Sequence, residues 1–191
     1  MSLLREVFHS QKKQLKRRRL QVEYNSYIAD LMNHPKVRQM DFYPHHASVT
    51  CLEHCLSVSY YSFRLSRRLK LDARAAARSG LLHDLYLYDW HINHPVPGLH
   101  GLTHPQTALA NARRYFELSS GEEDAILCHM WPLTFKMPGT KESWMICLMD
   151  KYCALVEVSR LSSHLKLYPH NASGRLASEQ SWRNVLKENL I

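Results

Sequence analysis

Helix-start signals recur along this chain, while no segment shows the alternation of apolar and polar residues that marks a β-strand. Asp72 precedes an alanine-rich segment as a candidate N-cap. Thr103 with Pro105 and Gln106 fits a capping box that has proline in its first turn, and residues 120–123 repeat the capping-box pattern. The sequence therefore predicts an all-α, single-domain helical bundle. The predicted helices cover approximately 3–32, 49–70, 73–86, 103–118, 120–130 and 141–161, with turns or loops over 33–48 and 89–102.

Length and composition fit one globular domain. The chain has 191 residues, 45% of them hydrophobic, and only 6 glycines, which excludes fibrous and largely disordered proteins. No stretch approaches the roughly 20 apolar residues of a membrane span, and the first residues lack the features of a signal peptide. Five cysteines scattered through apolar segments predict reduced thiols. We expect a cytoplasmic protein with a basic helical arm (1–40), a histidine-rich helical domain (41–165) and a tail with a short helix (166–191).

Positive charge is concentrated near the start of the chain. Residues 1–40 carry nine lysines and arginines against three acidic residues, so +6 of the formal +8 lies there. Six of these cations fall within residues 12–19, a run that fits the phosphates of a nucleic acid. The alternative interpretation is a solvated basic helix face, because no aromatic side chains are interleaved with the cations.

Histidine is unusually frequent, with 13 residues, nine of them between positions 45 and 129. Each successive predicted helix from the second onward offers a histidine or carboxylate at a spacing of one helix plus one connection. Packed helices can direct such side chains to one point, as in metal sites in the cores of helical bundles. Imidazole and carboxylate ligands suit Fe, Mn, Co or Zn, and six groups suit two ions better than one. The six are His54, His83, Asp84, His104, His129 and Asp150.

This ordered set resembles the HD-domain phosphohydrolase superfamily, whose metal-binding pattern is H…HD…D, with two further histidines in dinuclear members. The resemblance covers roughly residues 45–160 and is best locally around His54 and around the His83-Asp84 pair. It implies that His54, His83, Asp84 and Asp150 hold a first divalent transition-metal ion. Asp84 would then bridge to a second ion held by His104 and His129.

Substrate contacts follow less directly from the resemblance. Many superfamily members place a glycine and a lysine shortly after the HD pair, whereas here Leu85-Tyr86-Leu87 follows it. Lys151, next to Asp150, is our substitute candidate for a catalytic, phosphate-binding cation, and Arg64 is a second. His46 is a candidate for the pocket wall. His91, His94 and His100 are expected to be solvent-exposed in the loop after the HD pair.

The function implied by the resemblance is metal-dependent hydrolysis of a phosphate ester or nucleotide phosphoanhydride, so the expected partner is a small phosphorylated substrate, including nucleotides. Three alternatives stay open at this stage. The superfamily includes di-iron oxygenases with the same six-ligand arrangement. The chain could also be a non-catalytic regulatory or nucleic-acid-binding module that uses residues 12–19. Finally, the N-terminal helix could serve only to dimerise the protein.

Overall fold

A computed structural model describes residues 2–45, 49–92, 95 and 97–159, with side chains from residue 10 onward. The described residues form helices and connections with no β-strand, which confirms the all-α prediction. A single 3₁₀ turn, Met40–Phe42, precedes the third α-helix. The α-helices are α1 (Ser2–Asn33), α2 (Pro35–Gln39), α3 (Cys51–Arg68), α4 (Ala73–Leu82), α5 (His100–Tyr115), α6 (Ser120–Cys128) and α7 (Lys141–Val158).

Several helix boundaries differ from the predicted ones. The segment 33–48, predicted as turns, contains α2 and the 3₁₀ turn. Helix α5 begins at His100, three residues before the predicted start, and the Thr103 hydroxyl donates to the Leu99 carbonyl instead of capping the helix. Helix α6 is capped by Ser119 and Glu122, one residue earlier than predicted. The same type of capping box, from Thr50 and Glu53, starts α3.

Helix α4 lies at the centre of the bundle and contacts α1, α3, α5, α6 and α7. Its closest approach is to α3, where a Cβ atom added at Gly80 would lie 2.7 Å from the Cα of Ser59. On another side of α4 the buried Arg78 guanidinium pairs with Asp30 of α1 at 2.7 Å and with Glu122 of α6 at 2.9 Å. These contacts fix the end of α4, and with it the residues that follow, relative to three other helices.

The long first helix has two different halves. Tyr24, Ile28 and Leu31 are buried in the main hydrophobic core, so the second half of the predicted arm packs with the helical domain. Residues 10–19, which include the six clustered cations, are all exposed. The predicted tail, 166–191, lies outside the described residues, and the division of the chain at residue 40 stays a prediction.

All five cysteines are buried and carry no disulfide, as predicted. Of the helices in the described part of the chain, none combines the length and apolarity that crossing a bilayer requires.

Candidate metal centre

The structure brings together all six side chains predicted as metal ligands. They come from five different helices or helix ends and are at most 8% exposed. Their ligand atoms fall into two groups, each with its atoms within 4.8 Å of one another. One group is His54, His83 and Asp150, and the other is Asp84, His104 and His129.

Helix ends place two of the histidines. His83 is the C-cap residue of α4 and His129 is the C-cap residue of α6, both with helical backbone angles. The last carbonyls of a helix lack partners within the helix, and here the imidazoles supply them. The hydrogen bonds run from His83 Nδ1 to Gly80 O (2.9 Å) and from His129 Nδ1 to Ile126 O (2.8 Å).

The imidazole of His104, which lies inside α5, makes the same type of hydrogen bond to a backbone carbonyl. Its Nδ1 lies 2.8 Å from the His100 carbonyl, one turn earlier. A carbonyl oxygen only accepts hydrogen bonds, so the Nδ1 atoms of all three imidazoles must carry the donated proton. When such a ring is neutral, its lone pair lies on Nε2, which is the atom that faces the centre. This is the tautomer that a metal ligand requires.

His54 has its Nδ1 held by a carboxylate instead. Glu157, in the last turn of α7 and 2% exposed, places its Oε2 2.9 Å from this nitrogen. Glu157 is not among the residues predicted from the sequence. It stands seven positions, or two helical turns, after Asp150 and hence on the same face of α7, which is the signal that could have found it.

Asp84 lies between the two groups. Its Oδ1 is 3.2 Å from His104 Nε2 and 3.5 Å from His129 Nε2, whereas its Oδ2 is 3.5 Å from His83 Nε2. The Oδ1 of Asp150 lies 3.1 Å from His54 Nε2. The two oxygens of one carboxylate thus face different sets of imidazoles, which is the position expected of a bridging ligand.

Two local features of this arrangement fit a bound cation. The buried Nε2 of His83 has no hydrogen-bond partner among the described residues, although carboxylate oxygens of Asp84 and Asp150 lie 3.5 and 3.6 Å away. The Nε2 atoms of His104 and His129 are 2.8 Å apart, a separation that fits a proton shared by the two rings or a metal ion bound to both from one side. Lone pairs that face one another or face carboxylates in a buried site repel unless a positive charge separates them. The donor set fits Fe, Mn, Co or Zn.

The electrostatics of the metal-free protein keep the carboxylates ionised. Burial raises the pKa of Asp84, but the neighbouring charges of His83 and His104 lower it by more. The result is a pKa well below its usual value. Burial likewise opposes ionisation of Asp150, yet the hydrogen bond from His54 and the nearby His83 imidazole bring the pKa of Asp150 well below the usual value. Burial lowers the pKa of His54, but its hydrogen bonds to Asp150 and Glu157 raise it well above the usual value. The centre therefore offers two buried anionic carboxylates at neutral pH.

A cavity of about 820 Å³ lies against this centre. Its floor includes Asp84, His104, His129 and Asp150, and most of its remaining wall is apolar. The apolar part includes Trp90, Leu99, Met130, Pro132, Leu133 and Ala154. Lys151 lines the cavity as well, and its ammonium donates to the His129 carbonyl at 2.8 Å and to the Cys147 carbonyl at 3.3 Å.

Arg64 and His46 are the other two residues predicted to contact substrate. Arg64 does not reach the site: it is exposed on α3, and its guanidinium lies over the Tyr60 ring at 5.6 Å. The physical reason is that ten residues of helix carry it about 15 Å along the axis from His54. His46 lies outside the described residues. Its neighbour His45, which is not among the predicted site residues, is buried beside Asp84.

The predicted exposure of the histidines after the HD pair holds for only one of the two that are described. His91 is exposed, with 44% of its side-chain surface accessible. The prediction is wrong for His100, which begins α5, stacks on Trp90 with a 6° angle between the rings, and lines the cavity. His94 lies outside the described residues.

Comparison of the chain with protein-family models, with curated proteins and with solved structures gives no match. The buried histidines and aspartates are compatible with an HD-type site that could hold metal, and this compatibility rests on the geometry alone.

Proposed function

We propose that this protein is a metal-dependent phosphohydrolase of the HD type with two divalent ions. The observation that carries the proposal is the common orientation of four buried imidazoles, each with Nδ1 held by a carbonyl or carboxylate and with Nε2 turned toward Asp84 or Asp150. A structural role alone would not require four rings to adopt one orientation around two carboxylates. Holding divalent metal at two adjacent positions explains all of these contacts together.

Bound divalent ions would supply a water molecule of lowered pKa as the nucleophile and positive charge opposite the phosphoryl oxygens. The residues of the chain have complementary tasks. Asp84 would help to hold the ions, because its two carboxylate oxygens face different sets of imidazoles. The Nδ1 contacts keep the rings from rotating, so the ligand atoms are in place before substrate binds.

The cavity supports a substrate with a compact phosphoryl group and a larger organic part. Its volume, about 820 Å³, lies in the usual range for small-molecule sites. The apolar wall around Trp90 and Leu133 would hold the organic part and exclude water from the phosphoryl group. Lys151 is positioned at the same cavity, and we propose it as the cation that contacts the substrate phosphate.

The first experiment measures metal content per chain by elemental mass spectrometry, on protein purified without chelator. Wild type is compared with the His104→Ala/His129→Ala double variant, and His91→Ala is the matched control, since His91 is an exposed histidine outside the cluster. We expect about two ions in wild type and in the control, and about one in the double variant. Phosphate release is then screened with phosphomonoesters, phosphodiesters and nucleotides.

The same samples distinguish the alternatives. Consumption of oxygen by the iron-loaded protein, without phosphate release from any substrate, would favour an HD-type oxygenase. Absence of metal after reconstitution with Mn, Fe, Co and Zn would refute the proposal. A binding module that uses residues 12–19 would then be the better explanation of the chain.

A further inference from the structure

We infer that His45 is an additional protein ligand to metal, on the side of the centre that holds His54 and His83; the inference rests on the proposed metal centre and extends it. His45 is 8% exposed and forms a group with His54 and Asp84 whose ligand atoms lie within 4.8 Å of one another. Its ring lies against that of His54, with the ring centres 4.2 Å apart. A histidine thus occupies a position that neither the HD pair nor the helix spacing indicates.

The orientation of His45 matches that of the other imidazoles. Its Nδ1 lies 3.1 Å from the Tyr86 hydroxyl, and its Nε2 lies 3.7 Å from Asp84 Oδ2. This second distance is close to the 3.5 Å between His83 Nε2 and the same oxygen. Ligand atoms about 2.1 Å from a shared ion stand about 3.0 to 3.4 Å apart, so a small inward movement brings His45 into the same coordination shell.

The backbone also holds His45 in place. Its amide donates to the Val49 carbonyl at 3.0 Å, and the neighbouring residues Pro44 and Thr50 form an antiparallel bridge. The Cys51 amide donates to the Tyr43 carbonyl at 2.9 Å, which ties the strand-like segment to the start of α3. Because α3 carries His54, the two rings are fixed relative to each other.

The two sides of Asp84 then differ in their ligands. Oδ2 faces His45 and His83, whereas Oδ1 faces His104 and His129. With His54 and Asp150, the His45 side offers three imidazoles and two carboxylates, and the other side offers two imidazoles and one carboxylate. We expect the ion on the His45 side to bind more tightly and to have fewer positions open to water or substrate.

The test uses cobalt(II) as the probe on the full chain. Calorimetric titration gives the affinity of the first and second equivalents, and X-ray absorption of the one-equivalent sample gives the number of imidazoles per ion. We expect His45→Ala and His45→Gln to remove one imidazole from the first ion and to weaken its binding about 100-fold, at the upper end of losses seen even for indirect ligand partners. His91→Ala is the control and should change neither quantity.

The outcomes separate this inference from the proposed function. If wild type binds two ions and His45→Gln leaves both the imidazole count and the affinity for the first ion unchanged, His45 is not a ligand. A change in KM without any change in metal binding would assign His45 to substrate contact instead. If wild type binds no cobalt, both the inference and the proposed function fail. If the His45 variants lose the first ion but no phosphate is released from any substrate by wild type, the ligand assignment stands and hydrolysis fails. Far-UV circular dichroism of each metal-free variant shows whether the helices are retained.

Discussion

The crossing of α3 and α4 at Gly80 gives a quantitative test of the fold that positions the candidate metal centre. A Cβ atom at this position would lie 2.7 Å from Ser59 Cα and 2.9 Å from Ser59 N. Both are backbone atoms, so no side-chain rotation relieves the contact, and the helices must separate by about 0.7 Å to restore ordinary packing. Overpacking of this kind costs about 1 to 3 kcal/mol, against about 1 kcal/mol gained by replacing glycine with alanine in a helix.

The net effect of these two terms is about 0 to 2 kcal/mol, so Gly80→Ala should destabilise the protein by up to about 2 kcal/mol and lower the Tm by up to about 8 °C. Thermal unfolding measures this, with Gly121→Ala as the control, because a Cβ atom there meets nothing within 4 Å and should leave stability unchanged or raised. Gly80 also supplies the carbonyl that holds His83 Nδ1, so the same variant should weaken cobalt binding. A Gly80→Ala protein as stable as wild type, with unchanged cobalt affinity, would refute the close crossing of these two helices.

Three further predictions test other parts of the structure. Burial raises the pKa of Asp124, but hydrogen bonds, of which that from Ser143 is the largest, lower this pKa overall. The ionised carboxylate therefore stabilises the fold at pH values above the pKa of Asp124 in the unfolded chain. This stabilisation is lost as the pH falls through the pKa in the folded protein. Asp124→Asn should cost about 1 kcal/mol at neutral pH in urea unfolding and less at low pH, and an equal cost at both pH values would contradict this. Glu157→Ala should weaken cobalt binding about 10- to 100-fold in calorimetry. Glu157→Gln, whose amide oxygen still accepts from His54 Nδ1, should weaken it less, and equal losses would count against the orienting role. Replacing the six cations of 12–19 with glutamine should abolish any gel shift of nucleic acid without changing phosphate release; a retained shift would exclude the exposed arm as the binding element.

The helical fold and the grouping of the six predicted ligands are the parts that the sequence predicts well. From α3 to α7, each helix or helix end supplies one predicted ligand, or at α4 the adjacent His83-Asp84 pair, about one helix and one connection after the last. This spacing is unaffected by errors of a few residues in the helix boundaries. The start of α5 shows such an error, since the strong local signal at Thr103 lies three residues inside the helix. The earlier start places the His100 carbonyl one turn before His104, where it holds Nδ1. Local capping preferences are weak compared with a contact of this kind in the buried centre.

Contacts between distant segments are the parts that the sequence does not predict. Glu157 is 103 residues from His54, and the sequence points to it only indirectly, through its position on the same face of α7 as Asp150. His45 and His46 are neighbours in the sequence, and no pattern around them indicates that His45 is the one buried beside Asp84.

The position of the histidines at helix ends has a structural cause as well as a chemical one. Gly80 and Ile126 are among the last residues of α4 and α6. The carbonyls of these last residues accept no hydrogen bond from a backbone N–H of the same helix. A histidine three residues later donates Nδ1–H to that carbonyl and so satisfies a buried polar group that would otherwise cost about 1 to 3 kcal/mol. The same hydrogen bond fixes the tautomer and turns Nε2 toward Asp84 and Asp150. The same hydrogen bond therefore ends the helix and orients the candidate metal ligand at each of these two sites. Substitution of either histidine by a residue that only fills space should loosen the helix end even without metal.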